Sequence, residues 1–218
     1  LGIPFSDPMA DGPVIQRAAE RALEKGTSLH NVLEMVKRFR ETDRETPVVL
    51  MGYLNPVEVM GYATFAREAA DAGVDGVLTV DLPPEECSEM HDVLLANNID
   101  PIFLLAPTST VERIRKICNA SSGYVYYVSL KGITGAGHLD LDSVASKLGE
   151  IRKQTDLPVG VGFGIKDAET ASRMGKLADA VIVGSAIVTR IEENAEQPEA
   201  AIESVGNFVA ELRRGLDA

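Results

Sequence analysis

The chain has 218 residues, of which 45% are hydrophobic and 25% are charged, a balance typical of a folded globular protein. There are 21 Lys and Arg against 33 Asp and Glu, and the net charge of −12 opposes binding to nucleic acids and anionic membranes. No apolar run approaches the roughly 18 residues of a membrane span. We therefore expect a cytoplasmic protein whose partners include neither nucleic acid nor membrane.

The two cysteines, Cys87 and Cys118, lie in separate helical patterns without the close Cys/His spacing of a zinc site. The three histidines, His30, His91 and His138, are scattered, and each is expected to be a surface residue. These patterns predict free thiols in a reducing compartment and no metal site.

Apolar strands and amphipathic helices alternate along the chain. It opens on the end of an apolar strand at Leu1, followed by two helices that Gly26 separates. A Ser109/Glu112 capping box marks a later helix start. The predicted helices cover 14–26, 28–43, 57–72, 83–98, 109–120, 140–155 and 167–178, and two more close the chain. The predicted strands cover 47–53, 75–81, 101–106, 123–130, 157–164 and 179–184.

Strands that are apolar on both faces and separated by helices predict a parallel sheet with helices on its faces, either open or closed. The number of units favours closure as a (β/α)₈ TIM barrel. The sequence would then lack the first strand, the first helix and the start of the second strand of that barrel. We expect residues 1–218 to form a single domain, incomplete at its amino end, because no linker interrupts the alternation.

Active sites of parallel barrels lie at the carboxyl ends of the strands. Asp11 and Asp81 each follow a predicted strand, although Asp is also an ordinary turn residue. Gly164 follows one strand, and Gly184 and Ser185 lead from the next strand into a helix. Glycine turns and a helix N-terminus present backbone N–H groups to an anion, so this pair of turns favours a phosphate site over simple tight turns.

Two further features remain open at this point. Residues 131–138, KGITGAGH, form either a lid over a bound substrate or an ordinary flexible connection. Tyr126 lies in a strand that is apolar on both faces, so periodicity does not decide whether it faces the barrel mouth or a helix.

The motifs LGIPFSDPMADGP, VSLKGITGA, VGFGI and VGSAIV occur in one order, and the chain closely resembles the α subunit of tryptophan synthase over its whole length. The resemblance implies a (β/α)₈ barrel that cleaves indole-3-glycerol phosphate to indole and glyceraldehyde 3-phosphate by a retro-aldol reaction. It also implies no cofactor in this chain, and a β-subunit partner that carries pyridoxal phosphate in an α₂β₂ heterotetramer. Indole would pass between the two subunits.

The resemblance also assigns residues. Asp11 matches the catalytic aspartate that hydrogen-bonds the indole N1–H, and Thr134 matches a lid residue that closes onto the Asp11 loop. Asp81 matches an aspartate at the barrel mouth with a supporting role. The phosphate residues are Gly135, Gly164, Gly184 and Ser185, and the indole pocket is lined by Tyr126, Phe163, Met51, Leu78, Leu104 and Val183.

The family's second acid–base residue is a glutamate directly before LGIPFSDP, and a polypeptide that begins at Leu1 is expected to be nearly inactive without it. Three alternatives remain open. The first is another phosphate-binding barrel, such as a relative of indole-glycerol-phosphate synthase or phosphoribosylanthranilate isomerase. The others are a stand-alone indole-3-glycerol-phosphate lyase and a non-catalytic barrel fragment that keeps the phosphate site.

Overall fold

A computed structural model describes residues 1–129, 141–162 and 164–218, and it confirms the alternation of strands and helices. The helices are α1 Pro13–Glu24, α2 Leu29–Arg40, α3 Leu54–Met60, α4 Tyr62–Ala72, α5 Ser88–Ala96, α6 Val111–Ala120, α7 Leu141–Ile151, α8 Ala168–Gly175, α9 Ser185–Glu193 and α10 Pro198–Asp217. The strands are β1 Val49–Gly52, β2 Gly76–Thr79, β3 Asp100–Ile102, β4 Leu104–Leu105, β5 Val125–Val128, β6 Val159–Gly162 and β7 Ala180–Ile182.

The strands lie in chain order in two sheets, β1-β2-β3 and β4-β5-β6-β7. The pairs β1–β2, β2–β3, β5–β6 and β6–β7 are parallel, as predicted. The opening residues extend the first sheet, because Gly2 forms a parallel bridge with Met51 and Ile3 N–H donates to Met51 O at 2.8 Å. The carboxyl end of β1 therefore lies beside the segment that leads into the Asp11 loop.

The chain divides into two compact units. The first comprises Leu1–Leu104 with Lys116–Gly123, and the second comprises Leu105–Arg115 with Tyr124–Ala218. The first unit contains the whole β1-β2-β3 sheet, and the second contains β5, β6 and β7. The expectation of a single domain over 1–218 stays a prediction.

The apolar face of the amphipathic helix α2 shows how helical spacing in the sequence places side chains in the core. Leu29, Val32, Leu33 and Val36 recur at helical spacing, and all four are buried. The helix starts with a capping box in which Ser28 accepts from Asn31 N–H and Asn31 accepts from Ser28 N–H. Gly26, with φ +73°, provides the predicted break after α1.

Three predicted elements have different bounds. The predicted helix 57–72 is two helices divided at Gly61, whose φ of 84° is outside the helical range. The predicted helix 83–98 begins only at Ser88, because residues 84–86 form a separate turn in which Glu86 N–H donates to Pro83 O at 3.0 Å. The predicted strand 101–106 is divided between β3 and β4, which belong to different sheets.

The predicted Ser109 capping box is wrong by one residue. Thr110 Oγ1 accepts from Arg113 N–H at 3.3 Å and caps α6, which begins at Val111. Ser109 Oγ instead accepts from Ala106 N–H at 3.1 Å, so its hydroxyl stabilises the turn before the helix. Both residues are good caps, and the local turn decides between them.

An arginine, an aspartate and a strand backbone form what we call a strand clasp at the amino ends of β1 and β2. Asp75 Oδ2 accepts from Val48 N–H and from Arg40 Nη2, both at 2.6 Å. Asp75 N–H donates back to Val48 O at 2.9 Å. Arg40 also donates to the carbonyl oxygens of Gly73, Asp43 and Thr46, so it fixes the connection between α2 and β1.

The second unit repeats the strand clasp at the amino ends of β6 and β7. Asp179 Oδ2 accepts from Val159 N–H at 2.9 Å and from Arg152 Nη2 at 3.3 Å, and Asp179 N–H donates to Val159 O at 3.1 Å. As in the first clasp, the arginine ends or follows the helix before one strand, and the aspartate directly precedes the next strand.

Candidate functional site

The loop that carries Asp11 is held by hydrogen bonds along its backbone. Met9 N–H donates to Asp7 O at 2.8 Å, and Asp11 N–H donates to Pro8 O at 3.0 Å. Gln16 Nε2, from the first turns of α1, donates to Asp11 O at 2.9 Å. The Pro-rich loop thus has a defined path between the opening strand and α1, and Asp11 is half-buried within it.

The Asp11 carboxylate has one side-chain partner among the described residues. Tyr53 Oη donates to Asp11 Oδ2 at 3.1 Å and accepts from Ala10 N–H at 2.9 Å. Burial raises the pKa of Asp11, and the hydrogen bond from Tyr53 acts in the opposite direction. A half-buried carboxylate with one oxygen oriented in this way can accept a proton or a hydrogen bond from a ligand.

Asp81 lies near the same residues but plays a different local part. Its Oδ1 accepts from Leu54 N–H at 2.8 Å, at the first residue of α3. This bond satisfies a free donor at a helix N-terminus and places a negative charge there. Asp81 therefore supports the turn that follows β1, while its side chain remains exposed.

The predicted apolar wall begins on neighbouring strands. Met51 of β1 is paired in register with Leu78 of β2, and Leu78 with Ile102 of β3. In-register residues of parallel strands lie on one face of the sheet. Leu104 lies two residues beyond Ile102, at the start of β4. Leu78 is buried, whereas Met51 and Leu104 are half-buried and retain surface for a ligand.

The described phosphate candidates follow two neighbouring strands of the second unit. Gly162 of β6 pairs with Ile182 of β7, so Gly164 and Gly184 each lie two residues beyond a paired position. Gly184 is the N-cap of α9 and Ser185 its first residue, and no side chain caps this helix. The first N–H groups of a helix have no partner within it, and all three candidates are exposed. Val183, just before them, is half-buried.

The structure settles the orientation of Tyr126. Val125 and Tyr127 form the buried face of β5, whereas Tyr126 lies on the other face and crosses β6 over Gly162. A methyl group on Gly162 would lie 2.7 Å from Tyr126 Cε2 and 2.9 Å from Cζ. Position 162 therefore holds a glycine because the Tyr126 ring occupies the space that a side chain would need. Burial raises the pKa of Tyr126.

Sequence reasoning missed Tyr53 and Gly162 as residues that shape the site. Tyr53 directly follows β1, so the rule that selected Asp11 and Asp81 could also have selected it. The alternating glycines of VGVG, on the strand after the tyrosine-rich YVYY, were the available signal for Gly162.

Some predicted residues are outside the described part of the chain: Gly135, Thr134, Phe163 and the whole 131–138 loop with His138. Within the described part, Asp11 and Asp81 are joined through Tyr53 and Leu54 in the first unit. In the second unit Tyr126 lies on β5, and the phosphate candidates Gly164, Gly184 and Ser185 follow the neighbouring strands β6 and β7. Their roles as site residues stay predictions.

The remaining chemistry-bearing residues form no further site in the described ranges. Cys87 and Cys118 are free and buried, and His30 is exposed, whereas His91 is only half-exposed. Residues 1–129, 141–162 and 164–218 contain no group of three or more His, Cys, Asp or Glu side chains placed to hold a metal ion. Over the same ranges, each helix is too short or too polar to cross a bilayer.

Comparison with known proteins identifies the family. The model of the family described as tryptophan synthase alpha chain matches residues 1–217. Tryptophan synthase alpha chains of Thioalkalivibrio sulfidiphilus and Alkalilimnicola ehrlichii are 64% and 61% identical over 217 residues. The match covers 100% of this chain and 82% and 79% of those proteins.

Solved structures agree with the sequence comparison. The tryptophan synthase subunit alpha of Legionella pneumophila has a TM-score of 0.91 at 45% identity, over 100% of this chain and 80% of that one. A chain of the tryptophan synthase complex of Pyrococcus furiosus has a TM-score of 0.86 at 38% identity, over 97% and 84%. The predicted fold class, an α/β barrel of the (β/α)₈ type, is confirmed. The chain belongs to the tryptophan synthase alpha chain family, whose members are enzyme subunits that act in tryptophan biosynthesis.

Proposed function

We propose that this protein, when its polypeptide includes the family's glutamate directly before Leu1, cleaves indole-3-glycerol phosphate into indole and glyceraldehyde 3-phosphate. In this reaction a proton is added to indole C3, the bond between C3 and the glycerol carbon breaks, and its electron pair returns to the ring. The hydroxyl on the departing carbon loses its proton and becomes the aldehyde. The proteins of this family are lyases, which supports the proposed class of reaction.

The observation that carries the proposal is the half-buried Asp11 carboxylate on a loop fixed by hydrogen bonds. Tyr53 binds Oδ2, and among the described residues no hydrogen bond involves Oδ1, which would accept from the indole N1–H. Positive charge develops on the ring nitrogen when C3 is protonated, and a nearby carboxylate stabilises it. Burial strengthens this interaction because water screens it less.

The phosphate of the substrate would be held by Gly135, Gly164, Gly184 and Ser185. Support comes from the uncapped N-terminus of α9, which offers N–H donors and a favourable dipole. The indole ring would contact Tyr126, Phe163, Met51, Leu78, Leu104 and Val183, and Thr134 would close the lid. The six side chains of the indole pocket are apolar or aromatic, as is typical of a pocket that binds a planar ring.

The test compares two aspartates of the same loop. Asp11→Asn keeps the size of the side chain and removes its charge, and we expect kcat for indole release to fall at least about 100-fold. Asp7→Asn is the matched control, because Asp7 is exposed and its Oδ2 only accepts from Ser6 Oγ at 2.6 Å. Equal activity of the Asp11 variant and the control would refute the role of Asp11, and no indole release by the natural protein would refute the function.

We also propose that the protein pairs with a β subunit carrying pyridoxal phosphate, as α₂β₂. The Pyrococcus furiosus neighbour comes from a tryptophan synthase complex, which supports a partner of this kind. Adding purified β subunit should raise the rate of indole formation and give co-elution on gel filtration. A rate that does not change on titration would favour the stand-alone lyase.

A further inference from the structure

Tyr53 connects two consecutive residues of the Asp11 loop through one hydroxyl group. Ala10 N–H can only donate, so it fixes Tyr53 Oη as an acceptor at 2.9 Å. The single hydroxyl proton is then available for Asp11 Oδ2 at 3.1 Å. The loop backbone and the carboxylate are thereby held by the same atom.

The tyrosine itself is held rigidly. Only 3% of its surface is exposed, and its ring lies 5.4 Å from that of Phe5 at an interplanar angle of 32°. Tyr53 is the N-cap of α3, and the next residue, Leu54, donates its N–H to Asp81. Its position is thus fixed by ring packing and by the turn after β1.

From this geometry we propose that Tyr53 is a positioning residue that orients Asp11 for the reaction. Its hydroxyl occupies Oδ2, so Oδ1 is the oxygen presented to the indole N1–H. The inference rests on the proposed function for the identity of the ligand. The hydrogen-bond geometry stands independently of that function.

The Tyr53 hydroxyl is protonated at neutral pH. Burial raises the pKa of Tyr53, and the carboxylates that face it, Asp11 and Asp81, act in the same direction. It therefore donates throughout the neutral range. A donor to a carboxylate stabilises its ionised form, so Tyr53 offsets part of the effect of burial on Asp11.

The experiment is Tyr53→Phe, which keeps the ring and its packing and removes only the hydroxyl. We expect kcat to fall about tenfold, the effect of one lost orienting hydrogen bond, while KM changes less than about twofold. The acid limb of the kcat–pH profile should move to higher pH because Asp11 loses the donor that lowers its pKa. The same upward shift should be visible by ¹³C NMR titration of Asp11 without substrate.

Tyr62→Phe is the matched control. The Tyr62 hydroxyl donates to Glu58 of α3, across the break at Gly61 in the same unit, and the described contacts place neither residue against Asp11. This variant should leave kcat, the pH profile and the Asp11 titration unchanged. It measures what the loss of a tyrosine hydroxyl alone does to the protein.

The outcomes separate the two proposals. Unchanged kcat and Asp11 titration in Tyr53→Phe, with Asp11→Asn inactive, would overturn the positioning role and leave the function intact. Absence of indole release by the natural protein would overturn the function, while the NMR titration of Asp11 would still test the contact. If Tyr53→Phe does not fold, 4-aminophenylalanine at position 53 restores a donor. A kcat within about threefold of the natural protein would support the role, and a loss as large as that of Asp11→Asn would refute it.

Discussion

Gly162→Ala tests whether the tyrosine ring, rather than backbone freedom, accounts for this glycine. Ordinary contact between carbon atoms is about 3.5–4.0 Å. The added methyl would lie 2.7 Å from Tyr126 Cε2 and 2.9 Å from Cζ, an overlap of more than half an ångström with two ring atoms. Strand β6 cannot move away, because it pairs with β5 on one side and β7 on the other.

The ring must therefore shift, and overpacking of this kind costs about 1–3 kcal/mol. Urea unfolding followed by circular dichroism would measure the loss, and KM for indole-3-glycerol phosphate should rise because Tyr126 is displaced. Gly149→Ala is the control, since nothing lies within 4 Å of an added methyl there. In the last turn of helix α7 that change should be neutral or stabilising, by up to about 1 kcal/mol.

The reasoning has a direct refutation. In a Tyr126→Ala background the ring is absent, so the methyl group should cost almost nothing and the two changes should be strongly non-additive. A cost for Gly162→Ala that is the same with and without the ring would place its cause elsewhere. A cost indistinguishable from that of Gly149→Ala would show that the strand tolerates the methyl group.

The strand clasps supply two further predictions. Arg40→Met removes four hydrogen bonds from a side chain that is only 15% exposed, and should lower the free energy of unfolding by about 2–4 kcal/mol. Lys37→Met, which loses only an exposed pair with Glu34, should cost less than about 0.5 kcal/mol in the same urea experiment, and equal costs would contradict the clasp. In the second clasp, Val159 N–H and then Arg152 lower the pKa of Asp179. Ionised Asp179 stabilises the folded protein fully above the ordinary aspartate pKa of about 3.9. This stabilisation is lost as pH falls through the lower pKa that Asp179 has in the folded state. The stability difference between the natural protein and Asp179→Asn should be constant above about pH 5 and shrink below about pH 4, and a difference independent of pH would contradict this.

The sequence predicts the fold well because its signals are periodic and local. The face formed by Leu29, Val32, Leu33 and Val36 follows from helical spacing, and all four residues are buried. The division at Gly61 was missed because a glycine inside a helical pattern is compatible with both a continuous and a broken helix. Its positive φ is a property of the folded backbone alone.

The candidate site could be predicted in part. Asp11 lies in the loop after the opening strand and Asp81 lies two residues beyond β2, at the strand ends where a parallel barrel places its chemistry. The contact from Tyr53 to Asp11 joins residues 42 positions apart, and strand order and turn geometry together bring them to hydrogen-bond distance. The spacing of apolar residues does not report contacts between distant segments of the chain. For the same reason it could not decide which face of its strand carries Tyr126.

The strand clasps and the candidate site occupy opposite ends of the same short strands. Val48 and Asp75 precede β1 and β2, whereas Tyr53 and Asp81 follow them, and a four-residue strand separates the two ends by about 13 Å. The loops that face a ligand can therefore change in length or composition while the arginine and aspartate at the far end keep the strands aligned. Substrate preference and folding are open to independent variation in such an arrangement, and new activities can arise on it without a new fold.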